Sequence, residues 1–148
     1  MRKRTQSGIT LMEMLVVMTL LGIMAAVAGP SVGSGVETVR LRSTAERLAA
    51  TLRTGRNRAV RSRHYMEVSV DPQLRSVELR DLESSRPVDS WEIPPTIQVK
   101  AEKRLAFLFY PDGGSQAVRL ELENSRGREL EVAMDPFTLF PAVKEISR

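Results

Sequence analysis

The sequence predicts an α+β protein in which one long N-terminal helix packs on a small antiparallel β domain with sandwich-like character. Three observations lead there. Residues 9–29 form a 21-residue run in which Glu13 is the only ionisable side chain. Beyond it, Leu41, Ala45, Leu48, Leu52 and Ala59 recur at helical spacing. From Tyr65 onward the apolar period changes to two. The chain has 148 residues, 42% hydrophobic and 27% charged, a balance that excludes a disordered or collagen-like chain. It contains no cysteine, so disulfides, thiolate metal sites and cysteine nucleophiles are excluded as well.

The first element is a membrane-span candidate. At about 1.5 Å per residue, a 21-residue helix is roughly 31 Å long, the thickness of bilayer hydrocarbon. Arg2, Lys3 and Arg4 precede it with no acid among residues 1–8. The positive-inside bias therefore keeps the N-terminus cytoplasmic and sends the rest of the chain across the inner membrane. Ala26-Val27-Ala28 also offers a small-x-small site for an ordinary secretory signal. The apolar run, however, exceeds the roughly 7–15 residues of such a signal and carries a carboxylate near its start.

The second element is an amphipathic helix over residues 30–64. Proline removes an i to i−4 hydrogen bond, so Pro30 is expected to kink the helix or close its membrane-embedded part, with Gly33 and Gly35 weakening the same region. Residues 40–63 hold eight arginines (40, 42, 47, 53, 56, 58, 61 and 63) against Glu46 alone. The net charge of +4 is therefore unevenly spread: +3 in residues 1–8, −2 in residues 9–39, +7 in residues 40–63 and −4 in residues 65–148. Charge runs on helices are usually solvated faces near anionic headgroups. Arg53, Arg56, Arg58 and Arg61 are the candidates for docking a partner. Phosphate would also suit such a cluster, although nucleic acid is not the expected partner.

The β domain spans residues 65–148. Met66, Val68 and Val70 alternate with polar residues, Asp71-Pro72-Gln73 reads as a turn, and Val77 and Leu79 continue the pattern. A polar, proline-containing connection follows, with Arg86-Pro87 and Ile93-Pro94-Pro95, and then a short strand at residues 97–100. Residues 105–110 are apolar on both faces and are expected to form the buried central strand. Val118, Leu120 and Leu122 pair across an Asn124-Ser125-Arg126-Gly127 turn with Leu130 and Val132 as a hairpin. The segment from Asp135 to Pro141 leaves a final strand open.

Gly8-Ile9-Thr10-Leu11-Met12-Glu13 ahead of an apolar stretch resembles the signal of type IV prepilins and type II secretion pseudopilins. The resemblance implies cleavage by a prepilin peptidase between Gly8 and Ile9, N-methylation of Ile9, and pairing of Glu13 with the terminal amine of a neighbouring subunit. Ile9 stands where phenylalanine or methionine is commoner. Physics supports a partner for Glu13 independently, because a carboxylate in hydrocarbon costs about 2.5–3.5 kcal/mol on insertion scales. Snorkelling to the headgroups is the plainer alternative. Gly22 and Pro30 match the helix-weakening positions of pilin helices. Residues 45–60 resemble the start of the globular domain in H-type pseudopilins and FimT-type pilins, with Gly55 where that subfamily usually has alanine. Phe109-Tyr110-Pro111-Asp112-Gly113-Gly114-Ser115 is similar to its FxxDGS-like turn, whose glycines serve a tight turn, since no helix follows to cradle phosphate.

The resemblance implies a minor pseudopilin of the type II secretion system, placed near the tip of a periplasmic pseudopilus. Its implied partners are the prepilin peptidase, the major and other minor pseudopilins, inner-membrane lipid and the inner-membrane secretion platform. A FimT-like minor pilin in pilus biogenesis or DNA uptake is the alternative; DNA binding in such pilins is attributed to a basic C-terminal motif, which Arg126-Gly127-Arg128 echoes faintly. No catalytic residue, cofactor or metal is expected. His64, the single histidine, lacks a paired catalytic motif and reads as structural, and Trp91 reads as packing.

Overall fold

Thr10 starts the long helix. Its hydroxyl accepts a hydrogen bond from the Glu13 N–H at 3.2 Å, and its carbonyl accepts from Met14 at 3.2 Å, so the first turn is capped by a Thr-x-x-Glu sequence. The computed structural model describes residues 10–134 and 140–146, with backbone alone for residues 27–34. Helix α1 runs Leu11–Ser62 without a break. The helix therefore continues through Pro30 and the glycines that follow it. Proline forfeits only its own N–H bond, and the bonds on either side can carry the helix past it. The helix stops where Arg63 takes a left-handed φ of 59°, a C-terminal cap position usually given to glycine.

The chain divides into two units, residues 1–36 and residues 37–148. In the first, α1 presents apolar side chains on every side. Thr19 is the polar exception between Glu13 and Ala26, and its hydroxyl donates to the Leu15 carbonyl at 2.7 Å, so it demands no outside partner.

The second unit holds the whole hydrophobic core. From α1 it takes Leu41, Ala45, Leu48, Ala49, Leu52 and Ala59, all buried. Eight strands surround that stripe: β1 Met66–Asp71, β2 Ser76–Asp81, β3 Arg86–Glu92, β4 Ile97–Val99, β5 Leu105–Phe109, β6 Val118–Asn124, β7 Glu129–Met134 and β8 Pro141–Glu145. They form two four-stranded antiparallel sheets, in the orders β3-β2-β1-β5 and β4-β6-β7-β8. Val68, Val70, Val77, Leu79 and Phe109 from the first sheet join Leu120, Leu122, Val132 and Met134 from the second in one cluster with the helix.

Three sequence expectations change here. The strand at residues 105–110 is an edge, not the centre: β5 pairs with β1 alone among the named strands, and only Phe107 and Phe109 are buried. Leu105 shares their face and packs against the core, whereas Ala106 and Leu108 face the opposite side of the pleat, which an unbroken apolar run cannot reveal. The polar connection at residues 86–92 is strand β3, another edge, in which Trp91 alone is buried. Pro87 is tolerated because an edge strand need not donate on both sides, and the register slips beside it between Leu79 and Arg80. Finally, β8 begins at Pro141 and pairs with β7, whereas residues 135–139 lie outside the described part.

The turns follow their side chains. Asp71 accepts from the N–H groups of Gln73 and Leu74, both at 2.9 Å, and closes the β1–β2 turn. Buried Asn124 accepts from Arg126 and Arg128 at 3.1 and 3.0 Å, while Gly127 supplies a φ of 75° in the β6–β7 hairpin. In the loop after β5, Gly113 has a φ of 90°, and Gly114 stays in ordinary space. The glycine pair is therefore one conformational requirement rather than two.

Candidate assembly site

Two surfaces are candidates for assembly, one in each unit. In the first, eleven large apolar side chains between Leu11 and Met24 are exposed, including Leu11 at 85%, Met18 at 70% and Met24 at 70%. A continuous apolar surface of this extent needs an apolar cover, either lipid or other helices. Glu13 sits within it at the third helical position, where the helix dipole favours a carboxylate by about 0.3–1 kcal/mol. The Thr-x-x-Glu spacing from Thr10 to Glu13 is the signal in the sequence that marks this cap. Gly8 and Ile9 lie outside the described residues. The helix stays continuous through Gly22, whose missing side chain faces open space with nothing within 4 Å, and on through Pro30. Among the described residues no helix is both long and apolar enough to cross a membrane. Residues 9–29, the expected span, reach beyond the described side chains at both ends.

In the second unit the arginines of α1 separate by what they touch. Arg42 pairs with Glu46 at 3.0 Å. Arg47 lies over the Trp91 ring, 4.7 Å from its centroid, and the indole Nε1 donates to the Thr51 hydroxyl at 3.2 Å. Arg56 is turned inward, its Nε donating to the Gly113 carbonyl at 3.1 Å. It ties the helix to the glycine turn and is therefore removed from the docking group. Arg53, Arg58 and Arg61 are exposed, and their guanidinium groups have no ion-pair or hydrogen-bond partner among the described residues.

The Arg126-Gly127-Arg128 turn is held at home. Arg126 Nε lies 3.0 Å from a Glu37 carboxylate oxygen, and Arg128 reaches Glu145 at 3.6 Å and the Thr38 hydroxyl at 3.4 Å. These arginines are partly neutralised by acids of the same domain, which weakens their claim on nucleic-acid phosphate.

His64 is a clasp between helix and sheet. Its Nδ1 is 2.9 Å from Asp81 at the end of β2, and its Nε2 is 3.3 Å from Glu83. The pairing across 17 residues was invisible in sequence. Both ring nitrogens face carboxylates, so the imidazole has no free nitrogen with which to act as a base. Hydrogen bonding to Asp81, aided by the Glu83 charge, raises the histidine pKa above its usual 6.5. The same bond, helped by the backbone N–H groups of Ser84 and Glu83, lowers Asp81 from 3.8 to about 2. The sign of the pH dependence follows. The histidine contribution to stability is full below pH 6.5 and is lost as pH rises through the raised value; the Asp81 contribution is full above pH 3.8 and is lost as pH falls through about 2. A proton NMR titration of the single imidazole should give a pKa above 6.5, and Asp81→Asn should bring it down. An unshifted wild-type value would show that the clasp does not form in solution.

Comparison with known proteins agrees with this geometry. The prokaryotic N-terminal methylation motif matches residues 3–29. Type II secretion system protein H of Xanthomonas campestris pv. campestris is 28% identical over 123 residues, covering 81% of this chain and 73% of that protein. The structure of the minor pseudopilin EpsH from the type 2 secretion system of Vibrio cholerae superposes with a TM-score of 0.58 at 10% identity, over 73% of this chain and 97% of that one. The type IV minor pilin FimU of Pseudomonas aeruginosa PAO1 gives 0.51 at 19% identity, over 75% and 91%. The chain thus joins an N-terminal methylation motif to a fold like those of the minor pseudopilin EpsH and the minor pilin FimU. In sequence and fold it is similar to protein H and the minor pseudopilin EpsH of type II secretion systems.

Proposed function

We propose that this chain is a minor pseudopilin, incorporated near the tip of the periplasmic pseudopilus and supporting its assembly and the export of proteins across the outer membrane. The observation that carries the reading is the exposed apolar helix of the first unit directly behind a matched methylation motif. Such a helix is suited first to lipid and then to a bundle of similar helices. The peptidase cleaves after Gly8 and leaves Ile9 as the methylated first residue. Residues 9–29 then anchor the chain in the inner membrane, with residues 30–148 periplasmic. Glu13 neutralises the terminal amine of a neighbour, because opposite charges attract strongly where the dielectric is low. Gly22 and Pro30 loosen the helix for packing. The chain performs no chemistry itself and meets the major and other minor pseudopilins, membrane lipid and the secretion platform.

Deleting the gene in its host and assaying both machines tests this. Loss of type II secretion, restored by the wild-type gene, is the expected result. Normal secretion with lost pilus formation or DNA uptake would instead favour a FimT-like minor pilin.

A further inference from the structure

Several cations of the β domain are paired at home: Arg80 with Glu78, Lys100 with Glu123 and Glu129, Arg104 with Glu67, and Arg119 with Glu131. The outer face of α1 is different. Successive helical residues turn by about 100°, which places Arg53, Asn57 and Arg61 on one line with Arg58 beside it, opposite the buried Leu52, Gly55 and Ala59. No acid occurs between Glu46 and Glu67 in the chain, so this face has no carboxylate of its own.

The residue types narrow the occupant. Every cation in residues 40–63 is arginine and none is lysine. Arginine is enriched and lysine depleted at protein interfaces, and its planar fork binds carboxylates in two-point fashion. Between the arginines lie the small residues Ala50 and Thr54, and Val60 is 45% exposed. A low, partly apolar ridge with fixed positive charge suits a protein surface better than a phosphate backbone, for which the apolar element adds nothing.

We infer that Arg53, Arg58 and Arg61 dock a carboxylate-bearing face of a neighbouring pseudopilin. This deepens the pseudopilin reading and rests on it. The three guanidiniums supply orientation, and the small residues between them allow close approach.

A photo-crosslinking residue at position 57 of the full-length chain, expressed with the other pseudopilins, tests the inference. The expected adduct joins this chain to a pseudopilin through a peptide rich in Asp or Glu. Its yield should fall at least about tenfold in the combined variant Arg53→Glu, Arg58→Glu, Arg61→Glu, since three attractive charge pairs become repulsive. The corresponding lysine variant should stay within roughly threefold of wild type, because most of the charge attraction survives. The wild-type yield should also decline as NaCl rises from about 0.05 to 0.5 M. Unchanged yield in the glutamate variant, insensitivity of the wild type to salt, or an adduct to lipid or nucleic acid would each overturn the inference. Trp91 fluorescence verifies that the variants are folded. Should the wild-type chain be absent from the pseudopilus altogether, the assembly reading itself fails; should it be present but cross-link independently of the arginines, only the docking face fails.

Discussion

Gly55→Leu is expected to cost the β domain about 3 kcal/mol, and even Gly55→Ala should be destabilising by about 1 kcal/mol. Two effects oppose each other at this position. Alanine is favoured over glycine in a helix interior by roughly 1 kcal/mol. Against that, a Cβ at position 55 would lie 3.1 Å from Val68 Cγ2, 3.2 Å from Leu79 Cδ1 and 3.3 Å from Phe109 Cδ2. All three neighbours are fully buried, on β1, β2 and β5, and therefore have little room to withdraw. Forcing extra volume into a packed core costs about 1–3 kcal/mol, so the steric penalty exceeds the helical gain for alanine and dominates for leucine. Urea unfolding followed by the fluorescence of Trp91, the single tryptophan, measures both variants. A stabilised Gly55→Ala protein would mean that the helix does not approach the first sheet this closely.

The second large effect concerns Glu13. Replacement by alanine should leave cleavage intact but reduce incorporation into the pseudopilus by about tenfold or more, because the neighbour's terminal amine loses its counter-charge and removing one partner of a buried pair costs about 3–5 kcal/mol. Co-purification with neighbouring pseudopilins is the measurement. Because the Thr10 hydroxyl caps the helix through the backbone N–H of Glu13, Thr10→Val is the control for the stability of this helix end: it removes the capping hydroxyl, worth about 1 kcal/mol, and keeps the charge. Equal defects in the two variants would assign the Glu13 effect to the stability of this helix end, and normal co-purification of the Glu13 variant would remove the pairing argument.

Much of the architecture is legible in the residues because it depends on local periodicity. Leu41, Ala45, Leu48, Leu52 and Ala59 recur at helical spacing and are all buried. The alternation in Met66–Asp71, Ser76–Asp81 and Val118–Asn124 similarly marks strands with one inner face. Edge strands escape this logic. In β3, with only Trp91 inside, Arg86, Pro87, Asp89, Ser90 and Glu92 read as a connection, and β5 reads as central because both its faces carry apolar residues. Long-range polar choices escape it too. Arg56 differs from Arg53 and Arg58 only in meeting the Gly113 carbonyl, 57 residues away, and the Asp81 that clasps His64 comes from the far end of β2. Gly55 is the converse case. As a departure from the subfamily alanine it looked minor, yet the three side chains crowding it show why a hydrogen suits this helix.

The central claim is that this chain is made as a prepilin and matures by losing residues 1–8. Mass spectrometry of the mature N-terminus, isolated from its host membrane, tests it most directly. The account predicts a chain beginning at Ile9 and bearing one methyl group on the terminal amine; an unmodified chain beginning at Gly29, as ordinary signal-peptide cleavage would leave, would contradict it.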